Sequence, residues 1–216
     1  MSLTIEGNKL DKVKAVLFDM DGTLIDASEW HYEALNSALG VFGFSISPNQ
    51  QKNKFNGLST KKKLEILTKE NNLPRDLHDI ISNVKQDRTI RIAATKCFPI
   101  VSIQILLSRL KMSGIKLAVV TNSIRETAEF MLKYSGIIHY FDLIITNEDV
   151  ANQKPSPDCY FQAMSRLNVE PESVVVIEDG VYGIESAQSA GIENIIKVSS
   201  PRDLDIELLI NRIGQF

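Results

Sequence analysis

Lys14 to Leu24 reads K-A-V-L-F-D-M-D-G-T-L. Val13, Ala15, Val16, Leu17 and Phe18 make a short apolar run rich in strand formers, the pattern of a strand buried on both faces of a parallel sheet. Two carboxylates, Asp19 and Asp21, follow at once, and then Gly22 and Thr23. Acids at the end of a buried strand cost free energy unless a cation meets them. Mg²⁺ prefers hard oxygen donors of this kind, and Gly22 allows the chain to turn sharply around a ligand. In open α/β sheets ligands bind beyond the carboxyl ends of the strands, where these acids fall. A plain turn is the competing reading, because Asp and Gly both favour turns. A calcium loop starting at Asp19 needs Gly at its sixth place and Glu at its twelfth. Leu24 and Trp30 stand there, so that reading fails.

Downstream, Glu29 to Val41 reads as a helix, with Ala34, Leu35, Ala38, Leu39 and Phe42 at three-and-four spacing and Ser28 as N-cap. A second helix, capped by Ser59 or Thr60, runs to about Glu70. A third covers about Arg75 to Ala94, with Leu77, Ile80, Ile81 and Val84 on one side. No strong strand pattern occurs between Asp26 and Thr95. From Phe98 the texture changes to helix 100–113, strand 115–121, helix 124–135, strand 142–146 and helix 157–167. Strand 173–179, a helix closed at Gly191, strand 194–199 and a last helix 203–213 complete the alternation. Strands separated by helices imply βαβ units and a parallel sheet. The expected fold is α/β. Residues 1–25 and 96–216 form a Rossmann-like parallel core, and residues 26–95 form an inserted α-helical bundle that caps the acidic loop.

The chain of 216 residues suits one sizeable domain or a domain carrying a smaller one. Its 44% hydrophobic and 24% charged residues are those of an ordinary globular protein. A net charge of -3 leaves no footprint for nucleic acid or an anionic membrane, and no apolar run reaches bilayer length. Residues 1–11 lack the basic-then-apolar order of a secretory signal. Two cysteines, Cys97 and Cys159, are too few for a disulfide framework or a structural zinc site. They read as small buried apolar residues in a reducing, cytoplasmic setting.

Three further strand ends carry polar residues. Thr121-Asn122-Ser123 offers a hydroxyl, an amide and backbone N–H groups, the donors an oxyanion needs. Helix capping by Asn122 or Ser123 is the alternative. Lys154-Pro155-Ser156-Pro157 places a lysine on a stiff segment, extended before Pro155, with Ser156 as N-cap and Pro157 opening a helix. Such a lysine suits a point charge aimed at a phosphoryl group, or else it is a solvated surface residue. The strand over 173–179 ends in Glu178-Asp179-Gly180, a second acidic pair, and Gly183 opens a helix facing the same crevice. Up to four carboxylates would then repel one another there, a conflict that Mg²⁺ resolves.

Asp19 and Asp21, Thr121-Asn122, Lys154 and Glu178-Asp179, in this order, resemble the four motifs of the haloacid dehalogenase superfamily over nearly the whole chain. The helical block between the first and second motifs is similar to the subfamily that includes β-phosphoglucomutase, phosphoglycolate phosphatase and many sugar-phosphate phosphatases. The resemblance implies that Asp19 is a nucleophile forming an aspartyl phosphate and that Asp21 is the general acid and base. It implies that Thr121 and the Asn122 backbone hold phosphoryl oxygens and that Lys154 neutralises charge. Mg²⁺ would sit on Asp19, the main-chain carbonyl of Asp21 and Asp179, with Glu178 nearby. Members that cleave carbon–halogen or carbon–phosphorus bonds lack an acid at the place of Asp21, so its presence implies phosphate esters.

In the cap, Asp26 to His31 is similar to the hinge and first cap helix of the β-phosphoglucomutase group, which brings His31 near the catalytic acid. Gly57-Leu58-Ser59-Thr60 resembles that group's specificity loop, with Thr60 where the mutase has arginine. Lys61, Lys62 and Lys63 follow in a helical first turn, where they oppose the macrodipole. One of them, Lys61 first, is expected to face the crevice and bind the substrate's distal anionic group, with Ser59 and Thr60 also at the substrate, unless the three form a solvated basic face. Phe98-Pro99 stands where relatives have Pro-Gly, and Gly180 where they have serine. The expected protein is a cytoplasmic Mg²⁺-dependent phosphatase of a small phosphorylated metabolite such as a sugar phosphate, a monomer or weak dimer without nucleic acid or membrane partners. A β-phosphoglucomutase-type phosphomutase and a non-catalytic phosphometabolite-binding regulator are the rivals.

Overall fold

The computed structural model describes residues 13–204 together with Glu207 and Leu209. Residues 1–11 and most of the helix expected over 203–213 lie outside the described residues. Strands β1 (Ala15–Phe18), β2 (Lys116–Val120), β3 (Leu143–Ile145), β4 (Val174–Glu178) and β5 (Ile195–Lys197) form one parallel sheet. Their order is β3-β2-β1-β4-β5. Helices α5 (Val101–Met112) and α6 (Arg125–Tyr134) cover one face, and α7 (Asp158–Leu167) and α8 (Val181–Ser189) the other.

The two-residue period of a strand divides each apolar run between these faces. Val16, Phe18, Leu117, Val119, Val175 and Ile177 meet α5 and α6. Ala15, Leu17, Ala118, Val120, Val174 and Val176 meet α7 and α8. Phe18 is opposite Val119 of β2 and Ile177 of β4, so Asp19, Val120 and Glu178 finish level with one another. The strand order reverses between β1 and β4, which opens the crevice where ligands collect in such sheets. The sheet therefore brings two acidic strand ends to one place.

Between β1 and α5 the chain is helical, and no strand occurs there among the described residues. It contains α1 (Ser28–Gly40), α2 (Pro48–Gln50) continued by a π-helical turn Gln51–Phe55, α3 (Thr60–Asn71) and α4 (His78–Lys96). Leu35, Leu39, Phe55, Leu64, Leu67 and Ile81 give this block its own apolar centre, separate from the two sheet faces.

Three local expectations change. Ser28 is the first helical residue and caps nothing, because the Ala27 carbonyl already accepts from the His31 N–H at 3.1 Å. Ser156 does not cap α7; the Pro157 carbonyl takes the first helical bonds, and the Ser156 hydroxyl donates to Asp158 Oδ1 at 2.7 Å. Ile80 is 48% exposed, so the inner side of α4 runs instead through Ile81, Thr89 and Ala93. The segment Pro48–Phe55 is helical although its sequence carries no clear helical period. Cys97 and Cys159 are both buried free thiols.

Candidate active site

Lys154 reaches from the loop before α7 to the level ends of β1, β2 and β4. Its Nζ donates to Asp19 Oδ1 at 2.8 Å, Glu178 Oε1 at 2.5 Å and the Val120 carbonyl at 2.8 Å. The side chain is 3% exposed, which excludes a solvated lysine. Tyr160 donates its hydroxyl to Glu178 Oε1 at 3.1 Å and sets its ring 5.1 Å from the ammonium. The backbone N–H groups of Asp179 and Gly180 donate to the other Glu178 oxygen. A methyl group at Gly183 would overlap the Glu178 carboxylate, so this glycine makes the notch in which the acid lies. Gly22, at φ +95°, gives Asp179 the same clearance from the first loop.

One oxygen from each of Asp19, Glu178 and Asp179 lies within 4.8 Å of the others. Burial, then Glu178, pushes the Asp19 carboxyl well above its ordinary value despite Lys154. Burial and Glu178 likewise lift Asp179 to about 6. Burial works against the Lys154 charge, but Asp19 and Glu178 hold its pKa well above the usual lysine value. Three carboxylates thus share one ammonium, and a hard dication relieves that surplus. The oxygen-only donor set fits Mg²⁺.

Asp21 stands across the loop from Asp19. Ser123 Oγ donates to its Oδ2 at 2.8 Å, and His31 Nε2 from α1 approaches Oδ1 to 3.1 Å without a well-aligned hydrogen bond. Lys85 Nζ of α4 lies 3.0 Å from the other imidazole nitrogen. Burial acts to raise the Asp21 carboxyl, but His31, the Ser123 hydroxyl and Lys85 together hold it below its ordinary value. Burial and Lys85 lower the His31 imidazole. His31 therefore faces Asp21, and Lys85 stands behind it at a position that no sequence motif marks.

Thr121 is buried, and its Oγ1 accepts from the Ser123 N–H at 3.0 Å. Asn122 ties three segments together. Its Oδ1 accepts from the Lys154 N–H at 3.1 Å, and its Nδ2 donates to the Gly57 carbonyl of the helical block at 3.0 Å. Lys62 Nζ donates to the Lys154 carbonyl at 3.1 Å, and Thr127 of α6 donates to Gln86 of α4 at 2.8 Å. The helical block is closed over the strand ends. The cleft between them has a volume of about 470 Å³ and is lined by residues from both parts.

Ser59 is buried and caps α3 by accepting from the Lys62 N–H at 3.4 Å. Thr60 and Lys61 lie on the cleft wall, Lys61 exposed. Lys63, not Lys61, is the buried member of the lysine run. Burial and Lys85 bring the Lys63 pKa down to about 8, and burial brings Lys85 to about 8.

A parallel sheet whose middle strand ends in an acid paired with a buried lysine, closed by a helical insertion, defines a capped Rossmann-like α/β protein. The chain belongs to the haloacid dehalogenase-like hydrolases, whose family model matches residues 16–197. It is 31% identical over 186 residues to a phosphorylated carbohydrates phosphatase of Thermotoga maritima, covering 86% of this chain and 85% of that one. It is 27% identical to the fructose-1-phosphate phosphatase YqaB of Escherichia coli, over 86% of this chain and 96% of that one. The crystal structure of β-phosphoglucomutase from Clostridium difficile superposes with a TM-score of 0.80 at 23% identity, covering 94% and 98% of the two chains, a likeness of fold.

Proposed function

We propose that the chain is a Mg²⁺-dependent phosphatase of a small phosphorylated metabolite, of the sugar-phosphate kind, working through an aspartyl phosphate on Asp19. The convergence of Asp19, Lys154, Glu178 and Asp179 at one crevice, with Asp21 beside it under a closed cap, carries this reading. The two phosphatase relatives support the substrate class. The Gln51 side-chain oxygen, buried on the cleft wall with no donor, suits a substrate hydroxyl.

A carboxylate oxygen of Asp19 attacks phosphorus, and the bond from phosphorus to the alcohol oxygen breaks. Asp21, ionised in the free protein, takes up a proton as the ester's anion fills the cleft and gives it to that departing oxygen. Asp21, now a carboxylate, takes a proton from water, which attacks phosphorus and breaks its bond to Asp19. Inorganic phosphate leaves and Asp21 is protonated again. Lys154 offsets the charge that an anion attacking an anion builds up. Thr121 and the Asn122 backbone N–H hold the phosphoryl oxygens. Asp19, Asp179 and the Asp21 carbonyl would hold Mg²⁺, which supplies charge neutralisation and orientation of the phosphoryl group. Residues 26–95 serve as the cap that keeps bulk water out.

Release of inorganic phosphate from a panel of phosphate esters, with and without Mg²⁺, tests the reading. Absence of Mg²⁺-dependent release from every ester would sink it. β-Glucose 1-phosphate separates the rival: free phosphate marks the phosphatase, glucose 6-phosphate the mutase. Thr60 in place of the mutase arginine favours the first.

A further inference from the structure

The geometry points to Tyr160 as a positioning residue for Lys154. Its phenol ties down Glu178, so that the Lys154 ammonium stays turned toward Asp19 and the phosphoryl group instead of collapsing onto the second acidic pair. The effect on turnover rests on the phosphatase reading above; the hold on Lys154 does not.

An ammonium has three N–H donors. Lys154 uses all of them, on Asp19, Glu178 and the Val120 carbonyl. Two of those acceptors are acids that compete for one charge. Glu178 Oε1 is the nearer, at 2.5 Å against 2.8 Å for Asp19 Oδ1, and at so buried a place little water screens its pull. The same Glu178 oxygen accepts from the Tyr160 hydroxyl at 3.1 Å. That bond takes up part of the negative charge on Oε1 and fixes the oxygen in place. The Asp179 and Gly180 N–H groups fix the other oxygen. Glu178 is thereby held at both ends of its carboxylate, and Lys154 keeps its bond to Asp19.

Packing alone does not call for the hydroxyl. Cys159, Tyr160, Ala163, Met164 and Leu167 form the inner side of α7 against the sheet, and phenylalanine at 160 would fill that side as well. Tyr160 is 0% exposed, so its polar tip costs free energy unless it is bonded. Burial and Glu178 hold the phenol well above its ordinary pKa, so it meets the carboxylate as a donor and never as a second anion. The ring stands 5.1 Å from the ammonium, within cation–π reach. Hydroxyl and ring thus act on the two members of one ion pair.

The test compares the purified full chain with Tyr160→Phe, which keeps the ring, and Tyr160→Met, which keeps neither group. With p-nitrophenyl phosphate at saturating Mg²⁺, Tyr160→Phe should lower kcat about tenfold and change KM by less than about twofold; Tyr160→Met should lower kcat further. In metal-free protein, hydrogen–nitrogen correlation spectra of the lysine ammonium groups report on Lys154 directly. Its signal, identified by its loss in Lys154→Arg, should shift or vanish in Tyr160→Phe while backbone amides away from the site stay in place. An unmoved Lys154 signal overturns the assignment even if kcat falls, and an unchanged kcat in Tyr160→Phe overturns it as well. A Tyr160→Phe chain that does not fold also overturns it, because the hydroxyl then serves the fold as a whole. If the wild type hydrolyses no ester, the phosphatase reading falls by itself, and the ammonium signal still decides whether Tyr160 holds Lys154.

Discussion

On the core wall of the cleft, Asp19, Glu178 and Asp179 crowd around one ammonium, that of Lys154. On the cap wall, Lys63, Lys85 and His31 gather around one carboxylate, that of Asp21. The walls are unbalanced in opposite senses, and their titrations mirror each other. Core acids are pushed up, Asp179 to about 6, while cap lysines are pushed down to about 8. A folded protein keeps such uncancelled charge where something else is to complete it. The surplus has opposite sign on the two walls: acid at the strand ends, where the proposed Mg²⁺ would offset it, and base beneath the helices.

The contrast breaks most completely at Asp19, the proposed nucleophile. Asp19→Asn should lower kcat by at least about 10³-fold, read in a phosphate-release assay; turnover near wild type would remove covalent catalysis. Next comes the single cation of the core wall. Lys154→Met leaves Asp19 and Glu178 buried without their partner and should cost about 3–5 kcal/mol in metal-free chemical denaturation. A loss under about 1 kcal/mol would mean that the wall is not short of positive charge.

Gly22→Ala sharpens the cation half, because the added methyl meets Asp179 and the backbone sits at φ +95°. Mg²⁺ should bind about ten- to hundredfold more weakly by titration. Unchanged Mg²⁺ affinity would place the ion elsewhere. The smallest effect belongs to the cap wall. Lys63, lowered to about 8 from 10.5, holds its proton less tightly folded than unfolded. The unfolded chain therefore binds more protons across that window, and stability should rise from pH 8 towards 10. Thermal unfolding of Lys63→Met should show a shallower rise; equal slopes would remove the excess charge from that wall.

The core wall was legible because each of its groups sits at a strand end. A run such as Val174 to Ile177 must be buried, and Glu178 immediately after it has nowhere else to go. Sheet register then brings the ends together without further information. The cap wall was only half legible because a helical residue's surroundings depend on the rotational phase of the helix. With Ile80 and Val84 taken as inner, Lys85 falls on the flank. The true inner row steps by four through Ile81, Lys85, Thr89 and Ala93. Lys63 carried the same signal, four residues before the buried Leu67, which Lys61 does not share. His31 came from family resemblance, and the Asn122 amide linking Lys154 to Gly57 had no sequence signal.

The notch at Gly183 sets a limit on what the motifs mean. Glu178 rests where the first turn of α8 would otherwise carry a methyl group, so one hydrogen atom on a residue with no reactive side chain keeps the second acidic pair in place. A natural variant bearing alanine there would retain every reactive side chain and still lose its shape at the strand end. Inactive look-alikes of this enzyme are to be sought at that backbone position as much as among the aspartates.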